Sequence, residues 1–385
     1  MMKTLIFVLV LASSSANPRV HCIQDTLTED IELQRQLNLI NKPPIKTIHT
    51  KYGDTVDCID INRQPAFDHP LLKDHVLQKN PSNRKPIEKS SIKKLLGTLA
   101  FGFDKDQCPK GTIPIQRTKK EYLIQEKQLR NSSIFTKDVP GLHVAEMGVS
   151  SKFGPYYEVK GTTSVYNPRV SKGQMSLSHV WVQSRGENKI SAGWQVYSDL
   201  YGDNRTHFYA SWTRDNFRKT GCYNVRCPGF VHSNSYAYLG EPFLNISVYG
   251  GPIYHFSTSI SQDPVSKNWW LYVNNVDIGY FPVELFSGMN SADEVGWGGT
   301  TSTPQDSSSP PIGYGHFPDR KFFHSCYFIR MSYMNISKKN NEPKKHQIKK
   351  YIDNPECFGL SYYGNLHKSV DYSIQFGGPG GSCSN

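Results

Sequence analysis

Two short stretches hold most of the residues with chemical potential. Ile190-Ser191-Ala192-Gly193-Trp194-Gln195-Val196-Tyr197 offers a hydroxyl, an amide and a phenol. Val295-Gly296-Trp297-Gly298-Gly299-Thr300 sets an indole among glycines and ends on a hydroxyl. A serine nucleophile at Ser191 needs a positioned base, for which His179 and His316 are the candidates. An acid mechanism needs one carboxylate to take a proton from water and a second acid or amide to stabilise the oxyanion. The nearest acid is Glu294, on the face of Gly296 if the strand is regular but displaced along it by about 7 Å. Glu187 and Asp293 read as solvated loop acids, and Asp199 and Asp203 lie in the turn after the first stretch.

Side chains in such segments alternate between faces with period two. Ser191, Gly193, Gln195 and Tyr197 share one face of the first strand, and Ile190, Ala192, Trp194 and Val196 share the other. In a sandwich the former face lines a groove, where Gln195 and Tyr197 join Tyr157 and Trp297 as candidate substrate contacts. Trp297 is the leading aromatic there, because flanking glycines permit close approach of a ligand. Beyond residue 140 almost every apolar run is short, aromatic or β-branched and bounded by turn residues, as in Ser176–Val182, His207–Thr213 and Trp269–Val273. That pattern predicts an all-β antiparallel sandwich. Thr301–Pro311 reads as a flexible loop. Upstream lies a small mixed α+β region. It has a helical pattern over 25–40, a strand pair around Tyr52-Gly53-Asp54, a linker-like stretch over 79–95 and a short helix over 117–131.

Lys3, the apolar run Leu5–Ala12 and the small residues Ser14 and Ala16 have the layout of a secretory signal peptide over 1–16. Sequons at Asn131, Asn204, Asn245 and Asn335 fit that route. So do eight cysteines, which favour disulfides in an exported chain. Cys222 and Cys227 are close enough to staple a turn, Cys357 and Cys383 could anchor the C-terminal segment, and Cys58 could join Cys108. Cys326 sits in an apolar strand pattern as a buried thiol, and Cys22 has no obvious partner. The Cys222/Cys227 pair lacks the second ligand pair of a zinc finger, so no metal and no cofactor is expected. No later stretch approaches the roughly 20 apolar residues of a membrane span.

The two motif stretches resemble the strands that carry the glutamate pair in the neprosin family, plant secreted glutamic peptidases that cut near proline. The likeness extends through Gly53-Asp54-Thr55-Val56-Asp57-Cys58, Gln64–Leu72, Cys108–Ile115, Val165-Tyr166-Asn167-Pro168, Leu200-Tyr201-Gly202-Asp203, Lys219–Asn224, Cys227-Pro228-Gly229-Phe230, Asn268-Trp269-Trp270 and Phe376–Gly381. The resemblance supports the Cys222–Cys227 pair. It implies an activation peptide over 17–130 that packs across the groove of a peptidase-like domain over 131–385. It also implies glutamates where this chain has Ser191, Gly296 and Thr300, which leaves Glu294 as the one substitute acid. The expected protein is a secreted zymogen-type prolyl endopeptidase relative, extracellular or in the cell wall with the vacuole as alternative, and impaired in catalysis. The other reading is a non-catalytic module for proline-rich proteins or acidic glycans. With a formal charge of +11, acidic cell-wall polysaccharide suits it better than nucleic acid. The lysine run from Lys338 to Lys350 reads as a solvated loop.

Overall fold

Alternating β-branched and aromatic runs have no way to hide their apolar face except against a second sheet, and that requirement sets the architecture. The computed structural model describes residues 30–82, 84, 91, 108–123, 141–305, 307–322, 324–366 and 370–383. A small antiparallel sheet joins β1 (Lys46–His49), β2 (Thr55–Asp60) and β3 (Thr112–Gln116). The main body begins with β4 (Leu142–Val149), β5 (Tyr156–Ser164), β6 (Met175–Ser184), β7 (Asn188–Val196), β8 (Thr206–Thr213), β9 (Cys222–Tyr223) and β10 (Val231–His232). It continues with β11 (His255–Gln262), β12 (Trp269–Val273), β13 (Val276–Phe281), β14 (Glu294–Ser302) and β15 (Cys326–Asn335). The last strands are β16 (Asn340–Asn341), β17 (Ile348–Ile352), β18 (Gly359–Asn365) and β19 (Tyr372–Gly377).

One sheet runs β17-β4-β14-β6-β7-β8-β9, and the other β10-β13-β12-β11-β5-β15-β19-β18 with β16 beside β15. Their inner faces share one apolar core, in which Trp194 and Trp297 are fully buried. Each indole hides on the order of 200 Å², worth roughly 5 kcal/mol before entropic losses. Each indole N–H also finds an acceptor in the opposite sheet: Trp194 Nε1 donates to Ser164 O at 2.8 Å and Trp297 Nε1 to Lys160 O at 2.9 Å. All-β architecture in two facing antiparallel sheets is as the sequence predicts.

Residues 30–40 are helical, with Leu33 and Leu37 packed on Leu123. Ile31, counted in the helical pattern, is instead 68% exposed. The β1–β2 hairpin turns at Gly53, whose φ of +85° suits glycine. The upstream region docks on the outer face of the second sheet, where Trp270, Tyr272 and Tyr280 receive Ala66, Phe67 and Leu77. Ser82 and Arg84, at the start of the stretch expected to be a linker, are part of this contact, and most of the rest of that stretch lies outside the described residues. Asp263 accepts hydrogen bonds from Ser82 N at 2.5 Å, Ser82 Oγ at 2.9 Å and Gln78 Nε2 at 3.1 Å. The Arg84 guanidinium lies 3.7 Å from the Tyr272 ring centroid.

Cys58–Cys108, Cys222–Cys227 and Cys357–Cys383 are bonded, and Cys326 is a buried free thiol. Asn204 is exposed, and Asn245 and Asn335 are partly so. Lys338, Lys339, Lys344 and Lys345 are exposed, whereas Lys349 and Lys350 belong to β17 rather than to a loop. The signal segment, Cys22 and Asn131 lie outside the described residues, as does the expected helix beyond Leu123. No helix among the described residues is long and apolar enough to cross a membrane.

Candidate active-site groove

One cross-strand row organises the outer face of the first sheet. Register places Tyr351 beside Glu146, Glu146 beside Gly298, Gly298 beside His179, His179 beside Gly193, and Gly193 beside Tyr209. Glu146 and His179 stand two strands apart, about 10 Å between backbones, yet they touch, because the strand between them carries only a glycine. His179 Nε2 is 2.7 Å from Glu146 Oε1 across Gly298. His179 Nδ1 is 2.8 Å from the Tyr209 hydroxyl across Gly193. A Cβ at Gly193 would fall 1.9 Å from Ser178 O, and one at Gly298 would fall 2.5 Å from Glu146 Cα. Thr300, one step along β14, donates to Glu146 Oε1 at 2.9 Å.

Burial pushes the Glu146 carboxyl up, but the Lys189 charge, His179 and the Thr300 hydroxyl together outweigh it and hold it at about 2. Burial lowers the His179 imidazole against the pull of Glu146. Near pH 7 the pair is therefore an ionised carboxylate and a neutral ring. Its Nε2–H donates to Glu146, and its Nδ1 accepts from Tyr209, a tautomer assigned from these partners. Burial drives the Tyr209 phenol well above its ordinary value.

The neighbouring row runs Gly148, Gly296, Trp181, Ser191, Ser211 and Tyr223. Ser191 Oγ is 2.8 Å from Ser211 Oγ and also meets Tyr209. His179 commits both ring nitrogens to Glu146 and Tyr209, so it does not serve Ser191 as a base. His316, the other histidine considered, stacks on Tyr249 at 4.6 Å outside this groove.

The groove encloses about 140 Å³ and is lined by Ser191, Thr300, Glu294, Glu146, His179, Trp181, Tyr209 and their neighbours. Glu294 sits at its rim, bonded to Lys349 Nζ at 3.2 Å and to the Tyr351 hydroxyl at 3.1 Å. Gly296 lies on the same face under the Trp181 ring, 2.4 Å from where a Cβ would be.

Four expected groove residues do not line it. Trp297 is in the core, because groove-facing Gly296, Gly298 and Thr300 leave the odd positions of β14 pointing inward. Gln195 is on the groove face but sealed, with Tyr201 donating to its Oε1 at 3.2 Å. Tyr197 is buried behind the groove wall, in an apolar cluster with Leu200 and Tyr201 that also holds the groove-lining Leu177 and Tyr209. Tyr157 lies on β5 of the opposite sheet. None of the described residues from 30 to 123 lines the groove, so the expected cover over it is not formed by them. They dock on the aromatic outer face of the other sheet and, away from the groove, against Tyr201, Val225 and Arg226. Sequence reasoning missed Glu146, Tyr209 and Ser211. The available signal was an acid in the otherwise apolar strand Leu142–Val149, and its meaning emerges only once β4 is known to lie beside β14.

Family comparison gives two matches: the neprosin domain over residues 172–379 and the neprosin activation peptide over 47–149. Among solved structures, the chain is similar to scytalido-glutamic peptidase bound to a transition state analogue inhibitor. That match has 9% identity and a TM-score of 0.37, and covers 62% of this chain and 98% of that one. SCP-B, a member of the eqolisin family of peptidases in complex with the tripeptide Ala-Ile-His, matches with 9% identity, the same coverages and a TM-score of 0.32. The domain match spans more than half of the sequence and the activation-peptide match covers most of what precedes it, so the chain belongs to the neprosin family.

Proposed function

We propose that this protein is a secreted neprosin-type member that holds proline-containing peptides in its groove without hydrolysing them. The observation that carries the reading is the occupancy of the row at Ser191. A hydroxyl pair and a glycine stand there, with no acid to exchange a proton with water. Among the described residues the one carboxylate on the groove floor, Glu146, is engaged by His179 and Thr300 and is ionised down to about pH 2, far from the shared-proton state that divides acid and base roles. Losing a general base costs roughly 10²–10⁴ in rate, and losing an oxyanion donor roughly 10²–10³. Three disulfides suit the oxidising route of an exported protein.

The test is the purified protein, with and without its activation segment, incubated between pH 3 and 5 with a proline-rich peptide and read by mass spectrometry. Intact peptide that co-purifies with the protein is expected. Robust cleavage lost in Glu146→Gln or Glu294→Gln would overturn the reading in favour of a relocated acid. A second reading, binding of acidic glycans, is favoured by the exposed Lys338, Lys339, Lys344 and Lys345. It predicts salt-sensitive retention on polygalacturonate that is lost when these four are changed to glutamine.

A further inference from the structure

We propose that the groove is a receptor for a primary ammonium group, with Glu146 as its anion. Both hydrogen bonds to Glu146, from His179 and from Thr300, arrive at Oε1. Oε2 takes neither, and it is not sealed off from the pocket that Glu146 lines. A carboxylate held ionised at the bottom of a groove, with one oxygen still open, calls for a positively charged donor.

The walls suit the same ligand. Trp181, Tyr209, Phe217, Tyr223 and Tyr351 surround the floor with aromatic faces and edges, and a cation over such rings gains further attraction. The groove already holds an ammonium of its own: Lys189 Nζ lies 5.1 Å from the Trp181 ring centroid, and its charge acts on Glu146. Lys189 is thus the resident competitor for an incoming cation. Glu294, the other carboxylate at the rim, is paired with Lys349 and adds little net field. The neutral His179 ring adds no charge.

Shape narrows the class. A guanidinium engages a carboxylate best through two parallel bonds, and Oε1 is already taken. A compact ammonium needs only Oε2. About 140 Å³ admits an aminomethyl group and its first carbons, and a carboxylate terminus would meet the negative floor. Two sources carry this chemistry into a peptide groove, a peptide N-terminus and a lysine side chain. That peptide arm rests on the function proposed above, while the ammonium site itself does not.

The experiment titrates the full chain with n-butylammonium and with its neutral counterpart n-butanol near pH 7, read by tryptophan fluorescence and confirmed by calorimetry. The amine should bind at least about tenfold tighter, the range of one charge-assisted bond. Glu146→Gln, which keeps the acceptor for His179, should abolish that preference. Lys189→Met should raise amine affinity several-fold, which keeps the proposal testable if the glutamine variant folds poorly. Equal binding of amine and alcohol, or a preference that survives Glu146→Gln, would overturn it. A proline-rich peptide is then compared with a free N-terminus, with an acetylated N-terminus, and acetylated with one internal lysine, which separates the two sources. If n-butylammonium binds through Glu146 and no peptide does, the peptide-holding function fails and the ammonium site stands. If all three peptides bind equally and Glu146→Gln changes nothing, the ammonium site fails and peptide holding stands.

Discussion

Placing a glutamate at position 300 tests the electrostatic description of the groove most directly. Family resemblance nominates positions 191, 296 and 300 for carboxyls, but geometry separates them. Ser191 and Gly296 share a row with Trp181 between them. Thr300 lies four residues further along β14 than Gly296, about 14 Å at strand rise, too far to pair with residue 191. Its true neighbour is Glu146, 2.9 Å from the Thr300 hydroxyl. Thr300→Glu therefore sets two buried carboxyls face to face. At roughly 4 Å and an effective dielectric of about 20 their repulsion is about 4 kcal/mol, or about three decades in an acid constant. One of the two should rise from the present value of about 2 to about 5. A folded-state value above the ordinary 4.5 gives stability that is complete below pH 4.5 and lost as pH rises through 5. The melting temperature of the variant relative to the parent should thus fall between pH 4 and 6, by the equivalent of about 0.7 kcal/mol. Carbon-13 NMR of the labelled glutamates reads the titration directly. A new carboxyl that titrates below pH 3, with no loss of melting temperature relative to the parent up to pH 7, would refute the placement of Glu146.

Gly193→Ala should destabilise the protein by 3 kcal/mol or about that, the upper end of overpacking costs, because its Cβ would fall 1.9 Å from Ser178 O; a melting shift equivalent to less than about 1 kcal/mol would contradict the row. Burial lowers His232 to about 4, so the stability it contributes is present above pH 6.5 and is lost as pH falls towards 4. Thermal melts should show up to roughly 3 kcal/mol of loss across that window, reduced in His232→Gln. Asp263→Asn should loosen residues 76–82, since three of its hydrogen bonds come from Gln78 and Ser82 and bonds to a charged acceptor are worth roughly 1.5–3 kcal/mol each. Faster amide exchange confined to that segment is the expected readout, and unchanged exchange would count against the dock.

Strand period was legible in the sequence because each face of a half-buried strand writes its own composition. Ser176–Val182, Ile190–Val196 and Trp269–Val273 are all strands as predicted, and the three predicted cysteine pairs are the bonded ones. What failed was parity at one motif. Trp297 was read as a groove residue from its glycine neighbours, although its position next to Gly296 and Gly298 points it into the core. Glu146 was invisible for a different reason. Its partners His179 and Thr300 lie 33 and 154 residues away in sequence, and nothing local to Leu142–Val149 announces them. Ser82 and its polar neighbours looked like a linker because Asp263, which holds Ser82, is 181 residues away in sequence.

The position of β4 also bears on what an activation segment can be in this chain. The activation-peptide match runs to residue 149 and so includes β4. Yet β4 is hydrogen-bonded between β17 and β14, an interior place in the first sheet. Removing it would strip the ladder from β14 and leave two new edges. It would also take away Glu146, leaving His179 Nε2 and the Thr300 hydroxyl without their acceptor. The upstream region is held differently. Its one described disulfide, Cys58–Cys108, is internal to it. Its contacts with the sandwich are side-chain hydrogen bonds, ion pairs such as Arg84–Glu158 and Arg205–Asp54, ring contacts and apolar packing at the aromatic patch, at Leu72 in the main core and at Val225, with no shared ladder among the described strands. The physical boundary between what can leave and what must stay therefore falls before Leu142, not at the end of the family match. Among the described residues, the groove that Glu146 completes is consequently lined by the sandwich itself.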